Sequence, residues 1–141
     1  MRFMMLVIPK GYENAEPGKM PDPEHVAEMM KYNESLQKAG VLLALDGLHP
    51  PAAGVRVSYK NHKPTVIDGP FTEAKECLGG YWMIQVKSKE EAIEWAKRAP
   101  MSDNEIIEVR QVQEFDDFPA DVQQAAEGFK EIQAATQTPR N

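Results

Sequence analysis

The chain has 141 residues, of which 42% are hydrophobic and 27% charged, and its 16 basic and 22 acidic side chains give a net charge of −6. This length and composition fit one globular domain with its own core and exclude a disordered chain. The acidic balance argues against a general nucleic-acid binder, because a phosphate backbone requires a basic surface. No apolar run approaches the roughly 20 residues of a membrane span, and no signal-peptide cleavage site follows the first residues.

The cysteine and histidine residues indicate the cellular compartment of the protein and whether it can bind a metal. Cys77 is the single cysteine, so the chain cannot form an internal disulfide, and we expect a reducing cytoplasm. None of the three histidines has metal-ligand spacing, and there is no cysteine set to complete a site. We therefore expect neither a metal nor a cofactor.

The first third of the chain predicts a strand, a helix and a second strand. The apolar run 3–8 is typical of a strand buried on both faces. Asp22 is a suitable N-cap and Pro23 a suitable first helical residue, and Gly40 ends the helix. The segment 41–48 predicts the second strand. One stripe of the helix carries Val26, Met29, Met30, Asn33 and Leu36.

The remainder predicts a hairpin, a second strand–helix–strand unit and a tail. Alternation over 55–60 and the run 65–67 indicate the two arms of the hairpin. A strand follows at 80–87, and a helix starts at Ser88, which forms a capping box with Glu91. That helix ends at Pro100, and the last strand is 106–112.

The order of these elements predicts an α+β fold, a ferredoxin-like βαββαβ protomer with an extra hairpin and a C-terminal helix. We place this domain at 1–118, an amphipathic helix packing on the domain or on a partner at 119–135, and a frayed tail at 136–141. Two helices cover only one face of such a sheet, and the other face carries Met, Tyr or Trp side chains. A second copy of the chain is the simplest cover, which predicts a homodimer. The tail helix is the other element that can take part of this role.

The segment 66–100 resembles the DGPF-domain branch of the YCII-related family. The residues that carry the resemblance are Asp68-Gly69-Pro70-Phe71, Glu73-Ala74-Lys75-Glu76, Gly79-Gly80-Tyr81-Trp82, Glu91-Ala92-Ile93-Glu94-Trp95-Ala96 and Pro100. The resemblance extends over about residues 1–118. It implies a dimeric α+β barrel. It also implies a protein partner, since DGPF proteins are often encoded beside extracytoplasmic-function sigma factors.

The chain departs from the YciI-type branch of this family at two positions. That branch is proposed to use a histidine in the first helix and an aspartate just before the proline that ends the second. Here Ala99 precedes Pro100, and the histidine position falls near Met29. His25 lies one turn earlier on the same side of the helix. The chain therefore lacks the aspartate of the proposed His–Asp pair, and His25 substitutes for the histidine only approximately.

Asp68 and His49 are the candidate acid–base residues. Asp68 precedes Gly69 and Pro70 at a strand end, where sheet proteins commonly place site residues, although Asp-Gly-Pro is also ordinary turn chemistry. His49 follows a strand and precedes two prolines, so it can line a cleft near Arg56. The alternative is a loop histidine bonded to backbone.

Candidate ligand-binding residues are Arg56, Lys75, Glu76, Tyr81 and His25. A carboxylate beside a lysine at a pocket rim can transfer protons if burial shifts its pKa, but such clusters are more often solvated turns.

The sequence leaves two functional hypotheses open. One is a regulatory or interaction module that works with a sigma factor or another protein. The other is a cofactor-free lyase, isomerase or dehalogenase with a pocket between the first helix and the sheet.

Overall fold

The computed structural model describes residues 1–18, 20–71 and 76–136. They divide into two compact units, Met1–Gln111 and Val112–Asn141. The first unit contains strands β1 (Arg2–Ile8), β2 (Leu42–Gly47), β3 (Val55–Lys60), β4 (Lys63–Asp68), β5 (Gly80–Gln85) and β6 (Ile106–Gln111) and helices α1 (Pro23–Lys38) and α2 (Lys89–Lys97). No described helix is long and apolar enough to cross a membrane.

Four strands form one antiparallel sheet in the order β2-β5-β1-β6, and β3 and β4 form a separate hairpin. With one helix after β1 and another after β5, this order is the ferredoxin-like α+β arrangement. The fold class expected from the sequence is therefore confirmed. The hairpin turns at Asn61 and His62, which both have positive φ, as a two-residue hairpin turn requires.

Both helices begin where the sequence predicts. The Asp22 carboxylate accepts the Glu24 N–H at 3.1 Å, and Pro23 is the first helical residue. Ser88 Oγ accepts the Glu91 N–H at 3.2 Å at the start of α2. The second hydrogen bond of the predicted capping box is different, because the Glu91 carboxylate accepts the N–H of Lys87 and not that of Ser88.

The core lies between the two helices and one face of the sheet. Phe3, Met5 and Ile84 are fully buried on the sheet, and Leu36 of α1 is fully buried opposite them. Tyr32 ties the helices together, because its hydroxyl donates to the Trp95 carbonyl oxygen at 2.7 Å. Burial in this core raises the pKa of Tyr32 to about 12.

Neither α1 nor α2 packs on the opposite face of the sheet. Alternation along the strands and the pairing register place on this face the polar side chains of Arg2, Gln85, Glu108 and Arg110 and, between them, six apolar or aromatic ones, Met4, Leu6, Ile8, Tyr81, Met83 and Ile106. We call these six residues the open face. Ile106 is 45% exposed, and the other five are half-buried.

The second unit differs from the predicted tail. It begins at Val112 and includes a short 3₁₀ turn, Phe115–Asp117, where the sequence places the boundary at 118. Two helices, α3 (Ala120–Ala125) and α4 (Phe129–Thr136), replace the single predicted helix. Gly128 between them has φ of 90°, a backbone conformation that a right-handed helix cannot include. The predicted frayed segment 136–141 lies outside the described residues except for Thr136.

The Asp-Gly-Pro-Phe run closes the base of the hairpin. The Gly69 N–H donates to the Gly54 carbonyl at 2.9 Å, and the Arg56 guanidinium lies over the Phe71 ring, 4.0 Å from its centroid. A Cβ at Gly69 would overlap the carbonyl oxygen of Pro51. Glycine is therefore required here for a close approach of two backbone segments and not for a positive φ.

We expect Gly69→Ala to lower the free energy of unfolding by about 1–3 kcal/mol, because the added methyl group must displace the Pro51 backbone. Gly54→Ala is the matched control, since a Cβ there meets the Pro51 oxygen at an ordinary 3.5 Å. It should change the free energy by less than about 0.5 kcal/mol. Urea unfolding of both variants tests this, and equal effects would contradict it.

Candidate functional site

A large cavity lies at one end of the main sheet. Strands β1 and β2 leave the sheet at this end and β5 and β6 enter it, so four connecting segments converge there. The cavity has a volume of about 1270 Å³, and the loop 9–18, the first half of α1 and the segment 45–50 supply most of its wall. The sequence places the acid–base pocket of the enzyme alternative in the same region, between the first helix and the sheet, and that pocket stays a prediction.

The wall combines apolar and polar side chains. Four methionines line it, Met20, Met29, Met30 and Met101, with Val26, Leu45, Leu48 and the rings of Tyr12, Tyr81 and Trp82. Besides Tyr12 and Tyr81, its titratable described residues are Lys10, Glu16, His25, Asp46, His49 and Glu105. The described wall thus carries three carboxylates against one lysine and two imidazoles.

Trp82 is held in the wall by two contacts with α1. Its indole N–H donates to Asn33 Oδ1 at 2.8 Å, and its ring meets the Tyr32 ring edge-on with centroids 5.2 Å apart. Asn33 interrupts the apolar stripe of α1 because it satisfies this indole. A polar residue in an otherwise apolar helical stripe is the feature of the sequence that marks this contact.

Tyr81 and Asp46 form a hydrogen-bonded pair at the edge of the cavity. The Tyr81 hydroxyl donates to Asp46 Oδ2 at 2.9 Å, and this hydrogen bond, with the carboxylate charge, raises the pKa of Tyr81. The hydroxyl is therefore a proton donor at neutral pH. Asp46 was not among the residues singled out from the sequence, although it is the one charged side chain in the run Val41–Leu48.

Neighbouring loops fix the segment that carries His49. The Leu48 N–H donates to the Gly79 carbonyl at 2.9 Å, and the Tyr12 hydroxyl donates to the Leu48 carbonyl. Burial raises the pKa of Tyr12. His49 is held next to Pro50, which is buried.

The structure brings together three of the predicted site residues, His25, His49 and Tyr81, in this wall. Asp68 ends β4 in the hairpin and is exposed, and it lies outside the wall. Arg56 is on β3 against Phe71, and Glu76 is exposed. Lys75 lies outside the described residues. The catalytic pairing of Asp68 with His49 stays a prediction, and the two residues do not share this cavity wall.

The two positions at which the YciI-type branch has its proposed histidine and aspartate also lie apart in the structure. Met29 lines the large cavity, whereas Ala99 lines a smaller cleft of about 560 Å³ between α2 and β6. Neither side chain can accept or donate a proton. Within the described residues, no three His, Cys, Asp or Glu side chains come together in a way that would hold a metal ion.

Comparison with known proteins gives one family and one relative. The model of the YCII-related domain matches residues 1–116. The chain is 29% identical over 79 residues to the uncharacterised protein R00369 of Rhizobium meliloti (strain 1021). That match covers 56% of this chain and 64% of the relative, so it spans slightly less than two thirds of the relative's length.

We expect Asp46→Asn to lower the pKa of Tyr81 toward its ordinary value, because the substitution removes the negative charge beside the hydroxyl. Tyr81 should then ionise at a lower pH than in the unsubstituted protein. Titration of the tyrosine ring-carbon resonances by NMR measures this. Asp103→Asn, an exposed loop substitution, should leave the resonance unmoved, and an unchanged Tyr81 pKa in Asp46→Asn would contradict the assignment.

Proposed function

Because this chain belongs to the YCII-related family, we propose that it is a homodimeric regulatory module that binds a small organic molecule in the cavity at the end of the sheet. The side-chain composition of the cavity wall supports ligand binding over the acid–base chemistry proposed for the YciI-type branch. The wall has thioethers and aromatic rings around two imidazoles, with a methionine at the position of the proposed histidine.

The wall also favours one class of ligand. Apolar and aromatic groups with a few polar ones are typical of small-molecule sites. Three carboxylates against one lysine among its described residues disfavour anions. We propose an aromatic or apolar molecule with a neutral or cationic polar group, which His49 and Asp46 would orient.

A thermal-shift screen of aromatic amines, phenols, nucleotides, divalent metals and organic acids tests this. A ligand at about 100 times its Kd adds about 2.7 kcal/mol to the free energy of unfolding and raises Tm by several degrees. We expect hits among the amines and phenols, with His49→Ala weakening binding by about 1 kcal/mol, roughly fivefold.

Asp68→Asn is the control for this screen, because Asp68 is exposed and outside the wall. Binding that is lost in Asp68→Asn and kept in His49→Ala would overturn the assignment and favour Asp68 as the site residue. Hits confined to organic acids would contradict the proposed ligand class. Turnover of a bound ligand would favour the cofactor-free lyase, isomerase or dehalogenase alternative.

The proposal of a homodimer rests on the side chains of the open face. Its five aliphatic side chains and the Tyr81 ring lie on the side of the sheet opposite α1 and α2. A second protomer packing sheet against sheet buries them without exposing a new apolar surface.

We expect Leu6→Glu to convert the dimer to a monomer of 15.8 kDa, because it places a second carboxylate beside Glu108, which pairs with Leu6 across the sheet. Gln37→Glu adds the same charge on the exposed surface of α1 and should leave the dimer intact. Light scattering after size exclusion gives both masses, with circular dichroism to verify folding. A monomeric unsubstituted protein at micromolar concentration would contradict the proposal.

We also propose membership of the DGPF branch and, with it, a link to an extracytoplasmic-function sigma factor and a cytoplasmic location. The run 68–71 and the single cysteine support these assignments. Val122 in α3 and Phe129 and Ile132 in α4 are 39%, 44% and 65% exposed, and they offer apolar side chains to such a partner.

A further inference from the structure

The hydrogen-bonded pair of Tyr81 and Asp46 lies where the cavity meets the open face. Both residues line the cavity. Tyr81 also belongs to the open face, and Asp46 stands directly opposite Tyr81 in the register of β2 and β5. Directly opposite residues share a face of an antiparallel pair, so Asp46 lies on the same side of the sheet as the open face. A second copy that packs on the open face therefore also reaches the edge of the cavity.

The Asp46 carboxylate needs a cation when this side of the sheet is covered. Its Oδ2 accepts the Tyr81 hydroxyl, and none of the ion pairs among the described residues includes Asp46. Asp46 is exposed in one protomer, where water solvates its charge. A carboxylate that loses this water without gaining a cation is strongly destabilising. The surface that covers the open face must therefore bring a positive charge to Asp46.

The same side of the sheet supplies such a charge in Arg110. Arg110 stands opposite Met4 in the register of β1 and β6, so it shares the side of the open face. Its side chain is 72% exposed, and its Nε lies 3.9 Å from Glu108 Oε2, which is long for an ion pair. A guanidinium is a fork of N–H donors that suits a carboxylate. Arg110 can therefore bind a carboxylate of another copy.

Asp46 and Arg110 lie at the two ends of a diagonal across the open face. The centre of the diagonal is a group of four apolar or aromatic side chains in two facing pairs, Met4, Leu6, Tyr81 and Met83. Asp46 is one strand outside Tyr81, and Arg110 is one strand outside Met4, the diagonally opposite member of the four. Both ends are thus equally far from the centre. Equal distance is the condition under which a twofold axis can set each residue against the other in a second copy.

Charge distinguishes this arrangement from the other twofold arrangements through the same centre. An axis parallel to the strands sets Asp46 against the partner's Glu108, because both lie in the row of Tyr81 and Leu6. An axis along the diagonal sets Asp46 against the partner's Asp46. An axis perpendicular to the strands sets Asp46 against the partner's Ala44, which offers no charge. Only the axis perpendicular to the diagonal gives each Asp46 a cation.

We propose that two copies pack open face to open face about this last axis, so that the partner's Arg110 binds the Asp46 carboxylate at the edge of the cavity. This inference rests on the proposed homodimer and adds to it a residue that each cavity receives from the other copy. Ligand binding and association of the two copies then share one carboxylate. Each therefore alters the free energy of the other, and the coupling is reciprocal.

Charge reversal tests the contact, with Asp46→Lys, Arg110→Glu and the double variant. Within one chain, Asp46 and Arg110 lie on the two edge strands of the sheet, about 15 Å apart at 4.8 Å per strand. That separation is too long for an ion pair, so rescue in the double variant reports a contact between copies. Native mass spectrometry measures it as the rate at which isotope-labelled and unlabelled dimers exchange subunits.

We expect each single variant to exchange subunits at least tenfold faster than the unsubstituted dimer, or to be monomeric, because Asp46 or Arg110 then faces a like charge. The double variant restores opposite charges and should exchange within threefold of the unsubstituted rate. Arg2→Glu combined with Asp46→Lys is the matched control, since Arg2 is another arginine on this side of the sheet. This combination should exchange at least as fast as Asp46→Lys alone.

The possible failures are distinguishable. An unsubstituted dimer whose double variant exchanges as fast as the single variants overturns the contact and leaves the homodimer standing. Rescue by Arg2→Glu overturns the placement of Arg110, and an unsubstituted monomer overturns both the contact and the homodimer. If circular dichroism shows that Asp46→Lys does not fold, Asp46→Asn and Arg110→Gln replace the reversals. Their combined effect should then equal that of one of them, whereas multiplied effects would contradict a shared contact.

Discussion

Trp82 is the residue on which the organisation of this molecule depends. Its indole N–H must find an acceptor once buried, and Asn33 supplies it at 2.8 Å. Its ring meets that of Tyr32, whose hydroxyl donates to the backbone of α2. One aromatic pair thus links strand β5 to both helices. The same residue forms part of the cavity wall, so the packing of the core and the shape of the site are set together.

Much of the fold follows from local chemistry and was predictable. Asp22 and Pro23 start α1, Ser88 starts α2, and period-two alternation marks β3. These are short-range effects, which a single sequence displays directly. The C-terminal segment shows where a prediction from short-range effects fails. An apolar stripe continues through Val122, Phe129 and Ile132, and this periodicity predicts one helix, but the backbone at Gly128 divides it into two.

The site was predictable only in part, for a physical reason. His25 and His49 were identified as candidates, and both line the cavity. The cavity itself exists because four chain connections meet at one end of the sheet, and neither composition nor spacing shows that meeting. Asp68 illustrates the converse. It lies at a strand end, as site residues often do, but its strand belongs to the two-stranded hairpin and not to the main sheet.

The four methionines of the wall have a consequence for selectivity. A thioether side chain is unbranched, flexible and polarisable, so it refits around ligands of different outline at small energetic cost. A cavity built from Met20, Met29, Met30 and Met101 therefore discriminates weakly by shape. In the proposed ligand-binding function, discrimination between ligands would depend on the polar groups of the wall, above all on the hydrogen-bonded pair of Tyr81 and Asp46. The ligand proposed for this cavity is therefore a chemical class and not a single compound.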